Sequence, residues 1–251
     1  MYHIQIKMDL KTQEIINLAK KNSTDFIVGN RNSIKLMNYD GKILSIKTFK
    51  TPSFFIGFIY RFFRTSKAKR SYLHAKKLQE KNIGTPIPVG FYENNNSLQL
   101  LDSYYICEHL DADFVFKDLF SIPIEISEPI LKQFAQFCFL MHENGIEFLD
   151  HSPGNTLIKK SENNKYDFFL VDLNRMKFHK TKMDINMRMK NICKITPGII
   201  FIEIISKEYA RIIKLPEQKV FDLLHKYSTS FYKRFDKKKE LKKYLYSYKV
   251  R

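Results

Sequence analysis

The chain has 251 residues, of which 44% are hydrophobic, and it carries a formal net charge of +17. This length and composition allow one large domain with a buried core and exclude an intrinsically disordered protein. Three Cys without paired spacing argue against a disulfide scaffold or a zinc site. No apolar run reaches the ~20 residues of a membrane-spanning helix, and the acidic residues near the start predict no secretory signal.

The positive charge is unevenly distributed along the sequence. Residues 41–79 contain ten Lys or Arg and no Asp or Glu, and a second basic run, "YKRFDKKKELKKYLYSYKVR", comes last. A field of this kind attracts polyanions such as nucleic acid, an anionic membrane or a phosphorylated ligand. A surface that is merely rich in lysine for solubility would not explain the absence of acids from one long segment.

The first hundred residues are predicted to be mostly strands. In "DFIVGNRNSIKLMNYDGKILSIKTFK" an Asp-Gly turn signal precedes a strand that ends near Lys47. The following segment ends in a predicted helix that stops at Gly84 and has four apolar residues near one face: Ala68, Tyr72, Ala75 and Leu78. "PVGFYENNNSLQLLDSYYICEHL" predicts two further strands joined by an Asn-rich turn.

After about residue 110 the pattern becomes helical. "SEPILKQFAQFCFLMHENG" predicts a helix with Ser127 as N-cap, Pro129 in its first turn and Gly145 as its stop. A short apolar strand then ends on Asp172, and helices broken at "TPG" and "KLPEQ" follow from about residue 183. The predicted fold class is therefore α+β, with a strand-rich N-terminal lobe (about 1–107) and a helical C-terminal lobe (about 108–251).

Four polar residues form a pattern suited to phosphoryl transfer. In "GIEFLDHSPGNTLI" Asp150 precedes Asn155 by five positions, Asp172 follows 17 positions later, and Lys47 lies on an earlier strand. Phosphoryl transfer needs a carboxylate to orient the attacking hydroxyl, oxygen ligands to hold Mg²⁺ and a cation on the phosphates. A D-x-x-x-x-N spacing alone is common, but the four residues in this order predict a kinase.

These residues also carry a resemblance to a known family. "FLDHSPGNTLI" with "FLVDLNRMKF", and "SIKTFK", "GNRNSIK" and "RTSKAKRSYLHAKKLQEKNIGTPIPVGFYE", resemble the lipopolysaccharide kinases over roughly residues 26–178. The resemblance implies a protein-kinase-like bilobal fold, ATP and Mg²⁺. It also implies that the acceptor is a Kdo or heptose hydroxyl of the lipopolysaccharide inner core or Kdo-lipid A, at the cytoplasmic face of the inner membrane.

The resemblance assigns roles by position. Asp150 would be the catalytic base, Asn155 and Asp172 the metal ligands, and Lys47 the phosphate-binding lysine. Three further ATP-binding positions follow from the same alignment of motifs. They are Gly29 and Asn30, where a phosphate-covering loop is expected, and Glu108, where a hinge would offer its backbone to adenine.

The sequence departs from the usual kinase pattern in four ways. Phe148 replaces the His of H-R-D, and Asp172 is followed by Leu and Asn rather than by Phe and Gly. There is no G-x-G-x-x-G. No acid stands in the helix after Lys47, because Ser71 occupies the position expected for its Glu partner and Glu80 lies too far along. We expect Lys47 either to pair with Asp172 instead or to form a weak site.

The segment "PSFFIGFIYRFFRTSKAKR" interleaves aromatic and basic residues. It suits an interfacial helix whose rings enter the headgroup region while its cations contact lipid phosphates. The alternative is a helix that packs on the N-terminal lobe. The candidate membrane or glycolipid contacts are Phe58, Arg61, Phe62, Arg64 and Lys67.

Other functions remain open from the sequence. A kinase of a small cationic acceptor, such as an aminoglycoside or choline, would need an acidic patch, whereas this chain is basic. A pseudokinase that binds glycolipid or a partner would explain the missing helix Glu but not the intact polar pattern. Nucleic-acid binding has only the charge in its favour. The acceptor hydroxyl and the oligomeric state are left open.

Overall fold

The computed structural model describes residues 2–22, 24–28, 32–196 and 198–249. The chain divides into two compact units. The first comprises Met1–Asp111 and Phe169–Arg175, and the second comprises Ala112–Phe168 and Met176–Arg251. The first unit is built on an antiparallel sheet and the second is mainly helical. The α+β class predicted from the sequence is confirmed.

The first unit is a five-stranded sheet with three helices. Its elements are α1 (Tyr2–Asn22), β1 (Thr24–Val28), β2 (Asn32–Tyr39), β3 (Lys42–Phe49), α2 (Phe54–Phe62), α3 (Lys67–Glu80), β4 (Pro88–Asn95) and β5 (Leu100–Glu108). The strands lie in the order β1-β2-β3-β5-β4, and every neighbouring pair is antiparallel. β3, which carries Lys47, is therefore the central strand and is paired on both sides.

The predicted hairpin around the Asp-Gly signal is present. Asp40 and Gly41 both have positive φ, 53° and 73°, and Tyr39 pairs with Lys42 across the turn. Positive φ at both central residues is the geometry that matches the right-handed twist of the flanking strands. This turn fixes the register of β3, because a shift by one residue would reverse the side of the sheet on which Lys47 lies.

The helix α1 was not predicted, because the first hundred residues were expected to be mostly strands. Ile15, Ile16 and Ala19 of α1 are buried together with sheet residues such as Ile46 and Ile106. These three positions share one face of a helix at the i, i+1, i+4 spacing. The helix is stabilised by this packing on the sheet, and its mixed composition gave only a weak local signal.

α3 confirms the predicted helix, although it ends earlier than expected. Ala68, Ala75 and Leu78 are buried, and the hydroxyl of Ser66 caps the helix by accepting from the N–H of Lys69. α3 ends at Glu80, four residues before the expected stop at Gly84, and Asn82 turns the chain with a φ of 54°.

The second unit packs helices around short strands. Its elements are β6 (Phe114–Val115), α4 (Ile124–Glu143), β7 (Ile146–Phe148), β8 (Thr156–Lys160), β9 (Tyr166–Leu170, whose last residues belong to the first unit), β10 (Met176–Phe178), α5 (Ile185–Ile192), α6 (Ile199–Ile213) and α7 (Glu217–Lys249). Two small sheets have the orders β10-β7 and β6-β8-β9. Phe116, Phe134, Ile205 and Tyr209 are among the fully buried residues of its core.

The predicted start of α4 at Ser127 is wrong. The helix begins at Ile124 after Pro123, and Ser127 lies fully buried inside it. Ile124 packs on the core of the unit, so burial extends the helix upstream of the polar residue that looked like a cap. A Ser can cap a helix, but tertiary packing outweighs this modest local preference.

The predicted stop at Gly145 is confirmed by its geometry. Gly145 has a φ of +67°, and a Cβ at this position would lie 2.7 Å from the carbonyl oxygens of both His179 and Thr181. Only glycine avoids both the backbone strain and these close contacts. The tight turn leads from α4 directly into β7 and the polar loop that follows it.

Among the residues that the structure describes, no helix has the length and apolar character needed to cross a bilayer.

Candidate active site

The loop after β7 brings Asp150 and Asn155 together in the second unit. The side-chain amide of Asn155 donates from Nδ2 to the backbone carbonyl of Asp150 at 2.8 Å, and its own N–H donates to the carbonyl of Ser152 at 2.9 Å. Because the amide nitrogen is turned toward the loop, its oxygen is the atom available to a hard cation. The five-residue spacing therefore closes a small loop that presents a carboxylate and an amide oxygen.

Residues much later in the chain form hydrogen bonds with the backbone just before Asp150. Asn191 of α5 donates to the carbonyl of Phe148 at 2.8 Å, and the ammonium group of Lys194 donates to the carbonyl of Leu149. Tyr232 of α7 donates in turn to the carbonyl of Lys194 at 2.8 Å. These bonds fix the backbone immediately before Asp150. These bonds could not be predicted from the sequence, because no motif links the loop to α5 or α7.

His151, next to the candidate base, has a structural role. It is fully buried, with its ring 5.5 Å from that of Phe148 and 5.7 Å from that of Phe134. Burial lowers the pKa of His151 to about 4, although a contact with Asn191 acts in the opposite direction. A neutral, buried imidazole anchors the loop in the core, while the half-buried Asp150 is left for chemistry.

Lys47 and Asp172 form an ion pair in the first unit. The Nζ of Lys47 lies 2.6 Å from Oδ1 of Asp172, and their side chains are 14% and 30% exposed. Asn174 also donates to the same carboxylate oxygen at 2.7 Å. Asp172 has a φ of 59°, a conformation that non-glycine residues adopt rarely and that is found disproportionately at functional sites. The backbone is held in this form to direct the carboxylate toward Lys47.

The segment that carries Asp172 is tied to the rest of the first unit by three hydrogen bonds. Thr85 donates to the carbonyl of Leu170 at 2.9 Å, and the N–H of Leu170 donates to the carbonyl of Gly84 at 2.9 Å. Nδ1 of His74 on α3 lies 2.6 Å from the carbonyl of Leu173. Since that oxygen can only accept, Nδ1 must carry a proton. Burial lowers the pKa of His74, while this hydrogen bond opposes the shift.

The position expected for a glutamate on α3 is occupied by a residue that cannot replace it. Ser71 is buried, and its hydroxyl donates to the carbonyl of Lys67 within the same helix at 3.0 Å. Glu80 is exposed at the last position of α3. The carboxylate beside Lys47 is therefore that of Asp172, the alternative that the sequence left open.

Two other expected ATP-binding positions, Gly29 and Asn30, lie outside the described residues. Glu108 ends β5, and its carboxylate pairs with the ammonium group of Lys42. The N–H of Glu108 donates to the carbonyl of Ile87 at 2.9 Å, and that of His109 donates to Ile43 at 2.8 Å. Both backbone donors are thus used within the unit, so adenine would have to meet a carbonyl oxygen or a later N–H group here.

The residues expected to contact a membrane lie on α2 and just beyond it. Phe58, Arg61 and Phe62 belong to α2, Arg64 follows it and Lys67 begins α3. All except Lys67, which is half-buried, are exposed. The backbone of α2 approaches β5 at Gly57, while its aromatic side chains are exposed, and the membrane contact stays a prediction.

The donor set is suited to Mg-ATP. Mg²⁺ is usually held by one or two carboxylate or amide oxygens together with substrate phosphates, and a lysine neutralises the phosphates. Asp172 supplies a carboxylate oxygen beside the ammonium group of Lys47. Asn155 supplies an amide oxygen whose orientation is set by a hydrogen bond from the amide nitrogen. The structure brings together the two members of each pair, Lys47 with Asp172 in the first unit and Asp150 with Asn155 in the second.

Replacing Lys47 by Met is expected to weaken Mg-ATP binding about tenfold to a hundredfold. A hydrogen bond to a charged group contributes about 1.5–3 kcal/mol, and the carboxylate of Asp172 would lose its cation as well. Isothermal titration calorimetry with Mg-ATP measures the change. The matched control is Lys35→Met on β2, whose side chain alternates to the other face of the sheet. Equal affinity of wild type and Lys47→Met would contradict the assignment.

The sequence matches no protein-family model and no curated protein. Among solved structures, the chain is similar to "WaaP in complex with acyl carrier protein" with a TM-score of 0.58 at 14% sequence identity. The match covers 84% of this chain and 88% of that chain. At this identity the likeness shows the fold. The chain therefore has the protein-kinase-like α+β fold that the motifs predicted, and the resemblance to lipopolysaccharide kinases is supported at the level of the fold.

Proposed function

We propose that this protein is an ATP-dependent kinase that phosphorylates a sugar hydroxyl, of Kdo or heptose, in the lipopolysaccharide inner core. The observation that carries the proposal is the ion pair between Lys47 and Asp172, with Asp172 held at positive φ. It joins two residues singled out from the sequence as the phosphate-binding and metal-binding groups.

The reaction assigns one task to each of the four residues. Lys47 would neutralise the phosphates of ATP, and Asp172 and Asn155 would hold Mg²⁺, whose charge would be supplied to the transferring group. Asp150 accepts the proton of the acceptor hydroxyl as its oxygen bonds to the γ-phosphorus. The bond from that phosphorus to the oxygen of the β-phosphate breaks, and ADP leaves. The products are ADP and a sugar phosphate.

The choice of acceptor rests on charge and on likeness. The net charge of +17 favours an anionic acceptor and disfavours cationic ones such as aminoglycosides or choline. Lipopolysaccharide inner core and Kdo-lipid A carry carboxylates and phosphates. The resemblance in the motifs and the structural likeness to WaaP support the same class of acceptor. The enzyme would act as a peripheral protein at the cytoplasmic face of the inner membrane.

A pseudokinase that binds glycolipid is the second candidate. It is favoured by the buried Ser71, which leaves α3 without a carboxylate for Lys47. Such a protein would need neither the clamp between Asn155 and Asp150 nor the pairing of Lys47 with Asp172. The two candidate functions differ in whether the γ-phosphate of ATP is transferred to an acceptor.

Mass spectrometry of the acceptor tests the proposal directly. The protein is incubated with ATP, Mg²⁺ and detergent-dispersed Kdo-lipid A or heptosylated core, with an aminoglycoside and choline as control acceptors. We expect one phosphate on a core sugar only when Mg²⁺ is present. Phosphate on a control acceptor alone would overturn the choice of acceptor. No transfer to any acceptor, together with no ATP binding, would favour the pseudokinase.

A further inference from the structure

The helix α2 is attached to its unit by a very narrow contact. Gly57 is its only buried residue, and a Cβ added there would lie 2.8 Å from the carbonyl oxygen of Leu100 on β5. The helix backbone therefore approaches the first residue of β5 through a residue that has no side chain. Most of the other side chains of α2 are exposed, and Tyr60 is half-buried.

The surface that α2 presents is large and apolar. Five Phe are between 38% and 79% exposed, and two Ile are 45% and 48% exposed; they are Phe54, Phe55, Phe58, Phe62, Phe63, Ile56 and Ile59. Since a buried aromatic ring covers about 150–250 Å², the five rings alone expose on the order of 500 Å². Monomeric soluble proteins rarely expose a contiguous apolar patch of this size unless it is functional.

The geometry of the helix places the most apolar side opposite its attachment. At 3.6 residues per turn, Phe55 and Phe62 lie on the face that points away from Gly57, and Phe58 lies beside that face, about 100° around the helix from Gly57. The rings of Phe58 and Phe62 are tilted by 53° to each other, with centroids 4.9 Å apart. The outer face is therefore a preformed aromatic ridge. Packing on the unit accounts only for the inner face, at Gly57 and the half-buried Tyr60.

Basic residues border this ridge at its C-terminal end. Arg61 and Arg64 are exposed, and their guanidinium groups lie over the rings of Phe62 and Tyr60 at 6.0 and 5.8 Å. Lys67 follows at the first position of α3. Residues 41–79 contain no Asp or Glu. The surface thus combines an apolar ridge with a cationic margin.

We propose that α2 is a membrane anchor that inserts its aromatic ridge into the interfacial layer of an anionic phospholipid bilayer. A bilayer supplies both an apolar phase for the rings and phosphates for the cations. A second copy of the chain would supply an apolar surface for the rings, but it would bring its own basic residues to the contact and no phosphate for the cations.

The anchor is independent of phosphoryl transfer, but it would place the proposed kinase at the surface that holds a lipid-linked sugar. Binding to the bilayer needs only α2 and its cations, so it can be measured without ATP. Phosphorylation of a detergent-dispersed acceptor needs no bilayer. Failure of one proposal is therefore distinguishable from failure of the other.

Co-sedimentation of the full chain with vesicles tests the anchor. Vesicles contain phosphatidylcholine alone or with about one third phosphatidylglycerol, which makes their surface anionic. The first variant is Phe55→Ser with Phe62→Ser, and its control is Ile43→Ser. Ile43 is 53% exposed but lies at the end of the sheet opposite Leu100, since β3 and β5 are antiparallel. Circular dichroism confirms that each variant is folded.

The second variant removes three charges beside the ridge, by Arg61→Gln, Arg64→Gln and Lys67→Gln. Its control removes three exposed charges from α7, at Lys219, Lys226 and Lys233. A basic residue at an anionic surface contributes a factor of about five to binding, so the triple variant is expected to lose on the order of a hundredfold. The aromatic variant is expected to lose on the order of a hundredfold as well, about tenfold for each ring.

The expected result is binding to anionic vesicles that both α2 variants lose and both controls keep. Equal losses in the α2 and α7 charge variants would show an effect of net charge alone and would overturn the anchor. No binding of the wild type to either vesicle would overturn it too. A dimer in sedimentation velocity that Phe55→Ser with Phe62→Ser abolishes, without vesicle binding, would assign the ridge to a second copy.

Discussion

Asp150→Asn is expected to lower the turnover of phosphoryl transfer by about 10²–10⁴-fold while Mg-ATP still binds. The change preserves the size of the side chain and removes the carboxylate that would accept the hydroxyl proton. The bond from Asn155 goes to the backbone carbonyl of residue 150, so it does not depend on that carboxylate. The loop is also held by Asn191 and Lys194 through the two preceding carbonyls. Its geometry should therefore survive the substitution.

Steady-state kinetics with a core acceptor and calorimetry with Mg-ATP separate the two effects. The matched control is Asp184→Asn, because Asp184 caps α5 by accepting from the N–H of Met187 and Asn caps equally well. Turnover within threefold of the wild type would show that Asp150 is not the base. Loss of ATP binding together with turnover would show that the substitution had disturbed the loop, and thermal unfolding would confirm it.

The local elements of the fold could be predicted because their signals are short-range. The Asp40-Gly41 turn, the stripe of α3 and the stop at Gly145 each depend on residues close in sequence and on backbone conformations that few residues adopt. The start of α4 was predicted wrongly for the complementary reason. Its extension to Ile124 depends on burial against helices that come much later in the chain.

The candidate site also has a part that the sequence could predict and a part that it could not. The spacing from Asp150 to Asn155 predicted a loop because both residues act within one turn of chain. Two alternatives were open for Lys47 from the sequence. Only the structure shows its carboxylate partner, because Asp172 reaches it through a segment that is hydrogen-bonded to Gly84 and Thr85. Contacts of this kind carry no periodicity, so no pattern could identify them beforehand.

The stability of the second unit is expected to fall steeply as pH falls from about 6.5 toward 4. Burial lowers the pKa of His142 to about 3 and that of His151 to about 4. Nδ1 of His142 lies 2.8 Å from the hydroxyl of Tyr209, so its neutral form is built into the core. The nearby cations Arg188 and Lys194 also oppose protonation of these rings. In the unfolded chain both imidazoles titrate near 6.5.

The direction of the change in the free energy of unfolding follows from which state binds more protons. Between pH 6.5 and 4 the unfolded chain takes up two protons that the folded unit refuses, so the free energy of unfolding decreases as pH falls. Each histidine contributes about 1.4 kcal/mol per pH unit, so the two together remove about 4 kcal/mol by pH 5. Against a typical total of about 5–15 kcal/mol, this loss brings the unit close to unfolding.

Urea unfolding at half-unit steps between pH 7 and 4.5 measures this slope. Neither ring nitrogen of His151 makes a hydrogen bond of normal geometry, so His151→Leu removes a titrating group without leaving a bonded partner unsatisfied. The variant should show about half the slope of the wild type. The control is His225→Leu, at an exposed residue of α7. Identical slopes for wild type and His151→Leu would mean that His151 is protonated as readily in the folded core as in water. The catalytic loop would then lack the neutral anchor beside Asp150.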